Sequence, residues 1–463
     1  MSEYFHASSS SVWKLYGAVA LIPFFSVADQ ALGHLGLLPT SPTTLCIVMT
    51  MPFIAHVTAH HIKSRTLSLT LKPWRANALP LIAFLLLATL SLLLSSQPGA
   101  YWDEGGKWIF LMSYGFIVTA LSVAIGLNQP VVTSLRFYSG TSLLLIGGSL
   151  WYDLLHPGTF SEIQNRAAGF SGNANYTALI SVFVCSVGID FGKSPGSRRR
   201  FRLPPTNSST SVWPDFILLL LCFAIIAMTM SRSGLVAFSS LAVSFIVLRF
   251  FRSDGSNKML LHLALAGGMA AFAIISTLPL LAREISASDR NNRLSRYLHG
   301  QQIDDGSAGT RLAAVMDSVR LIEEAPLLGH GTGFSRTMLE LPHNLYLQQW
   351  VNNGVLGLIC YLTLLLSSFL IFLRRGCRNG QVLILVATVG SIFSHNVLDQ
   401  RPFLILLGIL LGASLAGPRR PSKPMSRPLR RIVSRHSSAP LSALVDRAIH
   451  ASQSLNSHAN QPE

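Results

Sequence analysis

Residues 216–250 have the sequence FILLLLCFAIIAMTMSRSGLVAFSSLAVSFIVLRF, and this stretch decides the fold of the chain. It is largely apolar, and Arg232 breaks it inside the run MSRSG at 230–234. A helix needs about 17–25 apolar residues to cross a bilayer, so the stretch predicts two membrane spans that meet at this run. A guanidinium at membrane depth costs roughly 2.5–3.5 kcal/mol on insertion scales and by default marks a functional site. Arg232 is therefore the first candidate site residue.

The composition of the whole chain indicates a membrane protein. Half of the 463 residues are hydrophobic, 12% are charged, and the mean hydropathy is +0.44. A soluble domain carries about 25% charged residues, so most of this chain must be dissolved in lipid. The net charge of +16 does not indicate a nucleic-acid partner. The basic residues form short segments between apolar runs, without an aromatic stacking platform beside them.

Apolar runs of spanning length recur along the chain and predict an all-α polytopic membrane protein with about twelve transmembrane helices. The predicted spans are 13–32, 41–58, 78–96, 107–126, 133–153, 174–191, 213–230, 233–250, 259–281, 346–373, 380–397 and 402–418. Arg136 and Gly140 interrupt the fifth of them. Residues 1–418 would form the membrane domain. Residues 419–463 would form a basic, disordered tail attracted to anionic lipids.

The positions of the basic residues predict the orientation of the spans. Basic stretches such as 193–202 and 374–378 fall on one side if the N-terminus is cytoplasmic, as the positive-inside rule expects. Both termini are then cytoplasmic, and 282–345 is one long external loop. Long loops translocate despite positive charge, so the arginines of this loop do not contradict the orientation.

The long loop contains arginine and no lysine. A planar guanidinium suits bidentate capture of phosphate or carboxylate, although each arginine could equally pair with one of the acidic residues of the loop. The periodicity predicts a helix over 310–324, with Thr310 as N-cap and Arg311 in the first turn. Its apolar face would comprise Leu312, Met316, Val319 and Ile322. The seven arginines are Arg283, Arg290, Arg293, Arg296, Arg311, Arg320 and Arg336.

Two further features of this loop are candidates for chemistry. The run GHGTG at 329–333 is a poor nucleotide signature because no strand precedes it, and it predicts a tight turn that brings the backbone close to another segment. His343 opens the span that follows. The positive end of a helix dipole disfavours a protonated imidazole, and a neutral imidazole can accept a proton. The alternative is a histidine that hydrogen-bonds lipid headgroups.

Three other charged residues stand on the external side. Arg166 lies in a short loop among Gly and Asn residues, where it could be a solvated charge. Asp399 and Arg401 lie between the last two spans, where a local ion pair is the simplest interpretation. The five cysteines are scattered, and no pair of them has the spacing of a metal site.

Five short motifs follow one another on the external side. They are RAAGF at 166–170 with NAN at 173–175, SRSG at 231–234, TRL at 310–312, PLLGHG at 326–331, and HNLYL at 343–347 running into NGVLGL at 353–358. In this order they resemble the O-antigen ligase / O-antigen polymerase family of bacterial envelope glycosyltransferases. The resemblance extends over about residues 75–415. It implies a glycosyltransferase C-like enzyme of the bacterial inner membrane with a periplasmic active site, without metal, nucleotide sugar or other cofactor.

The resemblance implies a lipid-linked substrate. The donor would be a glycan on undecaprenyl pyrophosphate, and the acceptor would be lipid A–core oligosaccharide in a ligase or another glycan in a polymerase. Arg232 and Arg311, with Arg166 as a third partner, would bind the pyrophosphate and stabilise the leaving group. His343 would take the proton of the acceptor hydroxyl in an inverting displacement. Asn344 and Asp399 are further candidates.

Two points remain open from the sequence. The family often has an acidic residue after the histidine, whereas this chain has QQWVNN at 348–353, so the sequence assigns no acidic partner to His343. The motifs also do not separate a ligase from a polymerase. A polysaccharide flippase or transporter is the alternative from another class. It would require charges deep within several spans, and most spans here carry none.

Overall fold

The computed structural model describes residues 26–27, 78–93, 130–157, 159–160, 167–191, 213–250, 306–338, 341–398 and 400–416. Within these ranges all regular elements are helical. The α-helices are α1 (Leu79–Leu93), α2 (Pro130–Leu155), α3 (Ala174–Gly188), α4 (Trp213–Thr229), α5 (Arg232–Phe250), α6 (Gly306–Glu324), α7 (Leu345–Arg375), α8 (Arg378–Phe393) and α9 (Arg401–Ala416). Two short 3-10 helices cover Gly169–Ser171 and Phe334–Thr337.

Eight of the predicted spans coincide with described helices, namely α1 to α5 and α7 to α9. The predicted spans 41–58, 107–126 and 259–281 lie outside the described residues, as does nearly all of 13–32. The tail from 419 lies outside them too. The all-helical class is therefore confirmed for the described part of the chain, and the number of twelve spans stays a prediction.

Among the described helices, α7 is long and apolar enough, by length and composition, to cross a membrane. It has 31 residues. Five shorter apolar helices accompany it, at 174–188, 213–229, 233–248, 378–393 and 401–415.

Helix α3 is the centre of the helix bundle. It contacts α2, α4, α5, α8 and α9, and all but two of its side chains are buried. A helix that is apolar around its whole circumference is stable only when neighbours surround it. The position of α3 follows from this composition, and the ends of α3 define the two ends of the bundle.

The end of the bundle at the C-terminus of α3 is held by side chains from α8. The amide of Asn379 donates to the carbonyls of Ser186 and Ile189, at 3.3 and 2.7 Å. Arg378 donates to the carbonyl of Phe191 at 2.7 Å. Cations and amide donors are stabilising where a helix leaves its last carbonyls unpaired.

Arg136 does not interrupt α2, contrary to the sequence prediction. Its guanidinium pairs with the carboxylate of Asp215, which is almost fully buried in the first turn of α4. That carboxylate also accepts from the backbone amide of Asp190 at 3.1 Å. Gly140 does not interrupt α2 either. It faces α4, where a Cβ at this position would lie 3.9 Å from the side chain of Leu218, so the small residue lets the two helices pack closely.

Helix α7 is broken at Gly354, which the prediction of one continuous span over 346–373 missed. Gly354 has φ 65° and ψ −169°, a left-handed conformation that glycine adopts without strain. The ring centroids of Tyr346 and Tyr361 are 5.6 Å apart, whereas an unbroken helix would separate the two residues by about 22 Å. The short arm of α7, residues 345–353, therefore folds back against the long arm, residues 355–375.

The break gives α7 a length that fits a membrane. An unbroken helix of 31 residues would rise about 46 Å, well beyond a hydrocarbon core of about 30 Å. The long arm alone rises about 31 Å. The short arm is held instead within the protein, where the hydroxyl of Tyr346 donates to the carbonyl of Thr388 in α8 at 2.9 Å.

Candidate active site

The segment that follows Arg166 is fixed by a buried carboxylate. Asp153, near the end of α2, accepts through Oδ2 from the backbone amides of Ala168 and Gly169, at 2.7 and 3.1 Å. Its Oδ1 accepts from the amide of Phe160 at 3.2 Å. The buried side chain of Asp153 thus ties Phe160, Ala168 and Gly169 to the end of α2 through their backbone amides. Arg166 itself lies outside the described residues.

Two of the sequence motifs meet at the start of α3. Asn173 is the N-cap of this helix, and its side chain accepts from the amides of Asn175 and Tyr176. The side-chain oxygen of Asn175 in turn accepts from the hydroxyl of Ser231, at 2.8 Å. The NAN motif at 173–175 and the SRSG motif at 231–234 are therefore in direct contact, whereas the sequence predicted only that both lie on the external side.

Arg232 is the first residue of α5. Ser231 caps this helix, because its hydroxyl oxygen accepts from the amide of Gly234 at 3.1 Å. A Cβ on Gly234 would lie 2.4 Å from the Cβ of Ala178, so α5 and α3 approach closely here. The backbone of Arg232 is thus set where α4 and α5 meet, at the end of the bundle where α3 begins. The side chain of Arg232 is not among the described parts.

The helix that carries Arg311 differs from the prediction in two ways. It begins at Gly306, so Thr310 lies in its interior and is not an N-cap. Its buried stripe consists of Ala314, Ser318 and Ile322, whereas Met316 and Val319 are exposed. Of the predicted apolar face, Ile322 is therefore buried, whereas Met316 and Val319 point away from the packed side of the helix. The helix does end before Pro326, as predicted.

Two of the loop arginines can be compared. Arg311 belongs to α6 by its backbone, and its side chain is not described. Arg320 pairs with Glu324 one turn later, with 3.4 Å between Nε and Oε1, and both side chains are exposed. Such a surface pair contributes little to stability. The ion-pair interpretation therefore holds for Arg320.

The glycine-rich turn packs against the break in α7, and this confirms the predicted close approach. In an unbroken helix the carbonyls of Val351 and Asn352 would accept from amides one turn later. Here they accept instead from the amides of His330 and Gly331, at 2.9 and 2.8 Å. The amide of Val355 donates to the carbonyl of Pro326 at 2.9 Å. These backbone groups are used within the protein, which agrees with the rejection of a nucleotide-binding loop.

Two asparagine side chains complete this contact. The side-chain oxygen of Asn352 accepts from the amide of Ser335 at 2.9 Å. That of Asn353 accepts from the hydroxyl of Thr332 at 3.0 Å, and its NH₂ group donates to Gln349. Both asparagines are buried. At the place where the family often has an acidic residue, this chain therefore uses neutral amides that bind the turn at 326–335.

His343 immediately precedes the N-cap of α7. Asn344 is that cap, and its side-chain oxygen accepts from the amides of Tyr346 and Leu347 at 2.9 and 3.2 Å. The predicted location of His343 at a helix start is thus confirmed. Its ring lies against that of His395, with the centroids 5.4 Å apart. The amide NH₂ of Asn396 lies 2.8 Å from Nε2 of His395.

His395 is the side chain that the sequence interpretation missed. It stands in the turn after α8, at the end of an apolar span, which is the same type of position as that of His343. A histidine at the end of an apolar span was the sequence signal that could have identified His395 as a second candidate. Asp399, the candidate of the same turn, lies outside the described residues, and so does the predicted pair that it would form with Arg401.

The motifs converge on one end of the bundle. Gly390 of α8 lies next to Leu179 of α3, so the C-terminal end of α8 is at the end where α3 begins. The contact of His343 with His395 brings the start of α7 to the same end. The N-termini of α3 and α5 adjoin there, and the start of α7 lies at the same end of the bundle beside α8. The positive end of a helix dipole favours an anion.

A comparison with protein families concerns the same part of the chain. Residues 217–362 match the family model described as O-antigen ligase. The matched range contains four of the five motifs, from SRSG to HNLYL with NGVLGL, and leaves out only the loop before α3. A search among individual curated proteins finds no match. The match at residues 217–362 supports an O-antigen ligase family domain in this chain, and that family comprises membrane-associated bacterial proteins of the glycosyltransferase type that process O-antigen.

Proposed function

We propose that the chain is an O-antigen ligase that transfers a glycan from undecaprenyl pyrophosphate to lipid A–core oligosaccharide. The observation that carries the proposal is the placement of His343. It stands at the start of α7, at the bundle end where the SRSG and NAN motifs meet. An acceptor hydroxyl reaching this end from one side and an anionic donor from the other would meet between groups suited to each.

The donor side of the proposed reaction uses positive charge. The pyrophosphate of the donor would lie at the N-termini of α3 and α5, with Arg232 and Arg311 as its guanidinium partners and Arg166 as a third. Guanidinium groups held by the protein, together with the positive ends of the two helix dipoles, would stabilise the negative charge that develops on the bridging oxygen. Divalent metal is not needed in this scheme.

The acceptor side of the reaction uses a base. The oxygen of an acceptor hydroxyl attacks the anomeric carbon, and the bond from that carbon to the pyrophosphate oxygen breaks. The hydroxyl proton moves to His343, and undecaprenyl pyrophosphate leaves with both electrons of the broken bond. A single displacement of this kind inverts the anomeric configuration. Asn344 would keep the imidazole at the helix start, since its side chain caps α7.

The second candidate function is a polymerase that joins repeat units, because the family match covers both kinds of enzyme in general terms. The lipopolysaccharide of a strain from which the gene is deleted distinguishes the two on a gel. We expect complete loss of O-antigen with a normal core, restored by a plasmid copy of the gene. A core carrying a single repeat would assign the polymerase, and unchanged lipopolysaccharide would contradict both functions.

The proposed orientation places α6 in the periplasm and both termini in the cytoplasm. We expect a cysteine at Ser307 to react with an impermeant maleimide on intact cells, and a cysteine at Ser197 to react only after lysis. The reverse pattern would move the candidate active site to the cytoplasmic face.

The native cysteines leave a low background for this labelling. Cys185, Cys222 and Cys377 are buried, and burial raises the pKa of the Cys377 thiol. Cys46 and Cys360 would be replaced by alanine in the parent chain.

A further inference from the structure

The turn at 326–335 and the break in α7 form one rigid connection between α6 and the His343 segment. On the α6 side, Nε2 of His330 lies 2.7 Å from the carbonyl of Leu321, near the end of α6. Its ring also stacks on Phe334 with 4.6 Å between centroids. The turn is thereby fastened to the helix that carries Arg311.

On the α7 side, the same turn is fastened by two kinds of contact. Backbone amides of the turn donate to the backbone carbonyls of Val351 and Asn352. The side-chain oxygens of Asn352 and Asn353 accept further hydrogen bonds from the turn. A Cβ on Gly354 would lie 2.1 Å from the carbonyl oxygen of Leu327, so the turn and the break fit without space between them. The short arm that follows His343 ends at this junction.

We propose that Asn352 and Asn353 are positioning residues that set the distance between the arginine helix α6 and His343. The inference rests on the proposed function and deepens it. If Arg311 binds the leaving pyrophosphate and His343 takes the proton, the two groups must be held at a defined separation across the reacting carbon. The asparagine side chains supply this by accepting from the Ser335 amide and the Thr332 hydroxyl. Misplacing a positioned group by about 1 Å can cost about 100-fold in rate.

The test compares Asn352→Leu with Asn352→Asp in the full-length enzyme. Leucine has a similar volume and cannot accept from the Ser335 amide, whereas aspartate keeps an acceptor oxygen in the same place. We expect Asn352→Leu to lower kcat by about 10- to 100-fold while the donor KM changes by less than about twofold. Asn352→Asp should keep most of the activity. The acid side of the pH–rate profile should persist in both, since His343 is present.

A distance measurement gives a readout that does not depend on activity. Spin labels at Met316→Cys on α6 and Leu366→Cys on the long arm, both at exposed positions, report how firmly the two helices are joined. We expect a narrow distribution in the parent and in Asn352→Asp, and a broad one in Asn352→Leu. Thr332→Val is the second variant, for use if Asn352→Leu does not fold. It removes only the hydroxyl that donates to Asn353, and we expect it to broaden the distance distribution as well.

The outcomes separate the inference from the proposed function. Unchanged kcat with an unchanged distribution in Asn352→Leu would overturn the positioning role, and so would equal impairment of Asn352→Asp. A broadened distribution in a chain whose parent shows no ligase activity would support the connection while the proposed function falls.

Discussion

Replacing His343 with alanine should lower glycan transfer by about 10²–10⁴-fold, the usual contribution of a general base. Donor binding should remain, because arginines and helix N-termini hold the pyrophosphate in the proposed site. Because the proposed base must be unprotonated to act, we expect the rate of the parent enzyme to fall on the acid side and this dependence to disappear in His343→Ala. The measurement is transfer by the purified enzyme, together with binding of the lipid-linked donor.

A matched control for this experiment is His156→Ala. His156 is exposed, follows α2 directly and contacts the ring of Tyr152, so its loss should leave transfer unchanged. Full activity in His343→Ala would remove the base from the scheme. A loss of donor binding without a loss of kcat would reassign His343 to substrate positioning.

Replacing Arg232 with lysine should lower transfer by roughly 10- to 100-fold, although the charge is kept. A lysine ammonium cannot reproduce the planar pair of bonds that a guanidinium makes with phosphate oxygens, and the lost donor would be one that stabilises the leaving group. Arg232 is the first residue of α5, so its side chain leaves from a fixed backbone. The activity of the purified variant is compared with that of Arg320→Lys.

The control variant uses an arginine with a known partner. Arg320 pairs with Glu324 on the surface of α6, and lysine can form the same exposed pair. Arg320→Lys should therefore transfer glycan at the parent rate. If Arg232→Lys does the same, Arg232 supplies only charge and the argument from guanidinium geometry is wrong.

The sequence predicted the positions of most described helices because apolar runs of spanning length have few other stable arrangements. It failed at Arg136, whose partner is distant, and at the start of α6. The charge of Arg136 looked like an interruption of α2, but its partner Asp215 lies 79 residues away. Thr310 looked like a helix start because hydroxyl residues are good caps, whereas the helix begins one turn earlier at Gly306.

The break in α7 shows the same limit in the candidate site. Hydropathy averaged over a span does not register a single glycine, so 346–373 looked like one helix. The polar run before Gly354 was the local signal, and its meaning depends on a turn some twenty residues upstream. By contrast, the residues of the five motifs could be found from the sequence, since their chemistry is unusual for a membrane domain. The contact between His343 and His395 required the fold.

The break in α7 also sets an order of assembly. The backbone groups that lose their helical partners at Gly354 find new ones in 326–331, a segment that is synthesised before α7. Until residues 351–355 of α7 have been synthesised, the segment 326–331 lacks these hydrogen-bond partners, and the folded-back position of the short arm is not stabilised by them. The hydrogen bond from Tyr346 to the carbonyl of Thr388 also requires α8, which is synthesised after α7. We therefore expect His343 to reach its place beside His395 only after α8 has been made, so that a chain ending before α8 would hold no complete centre.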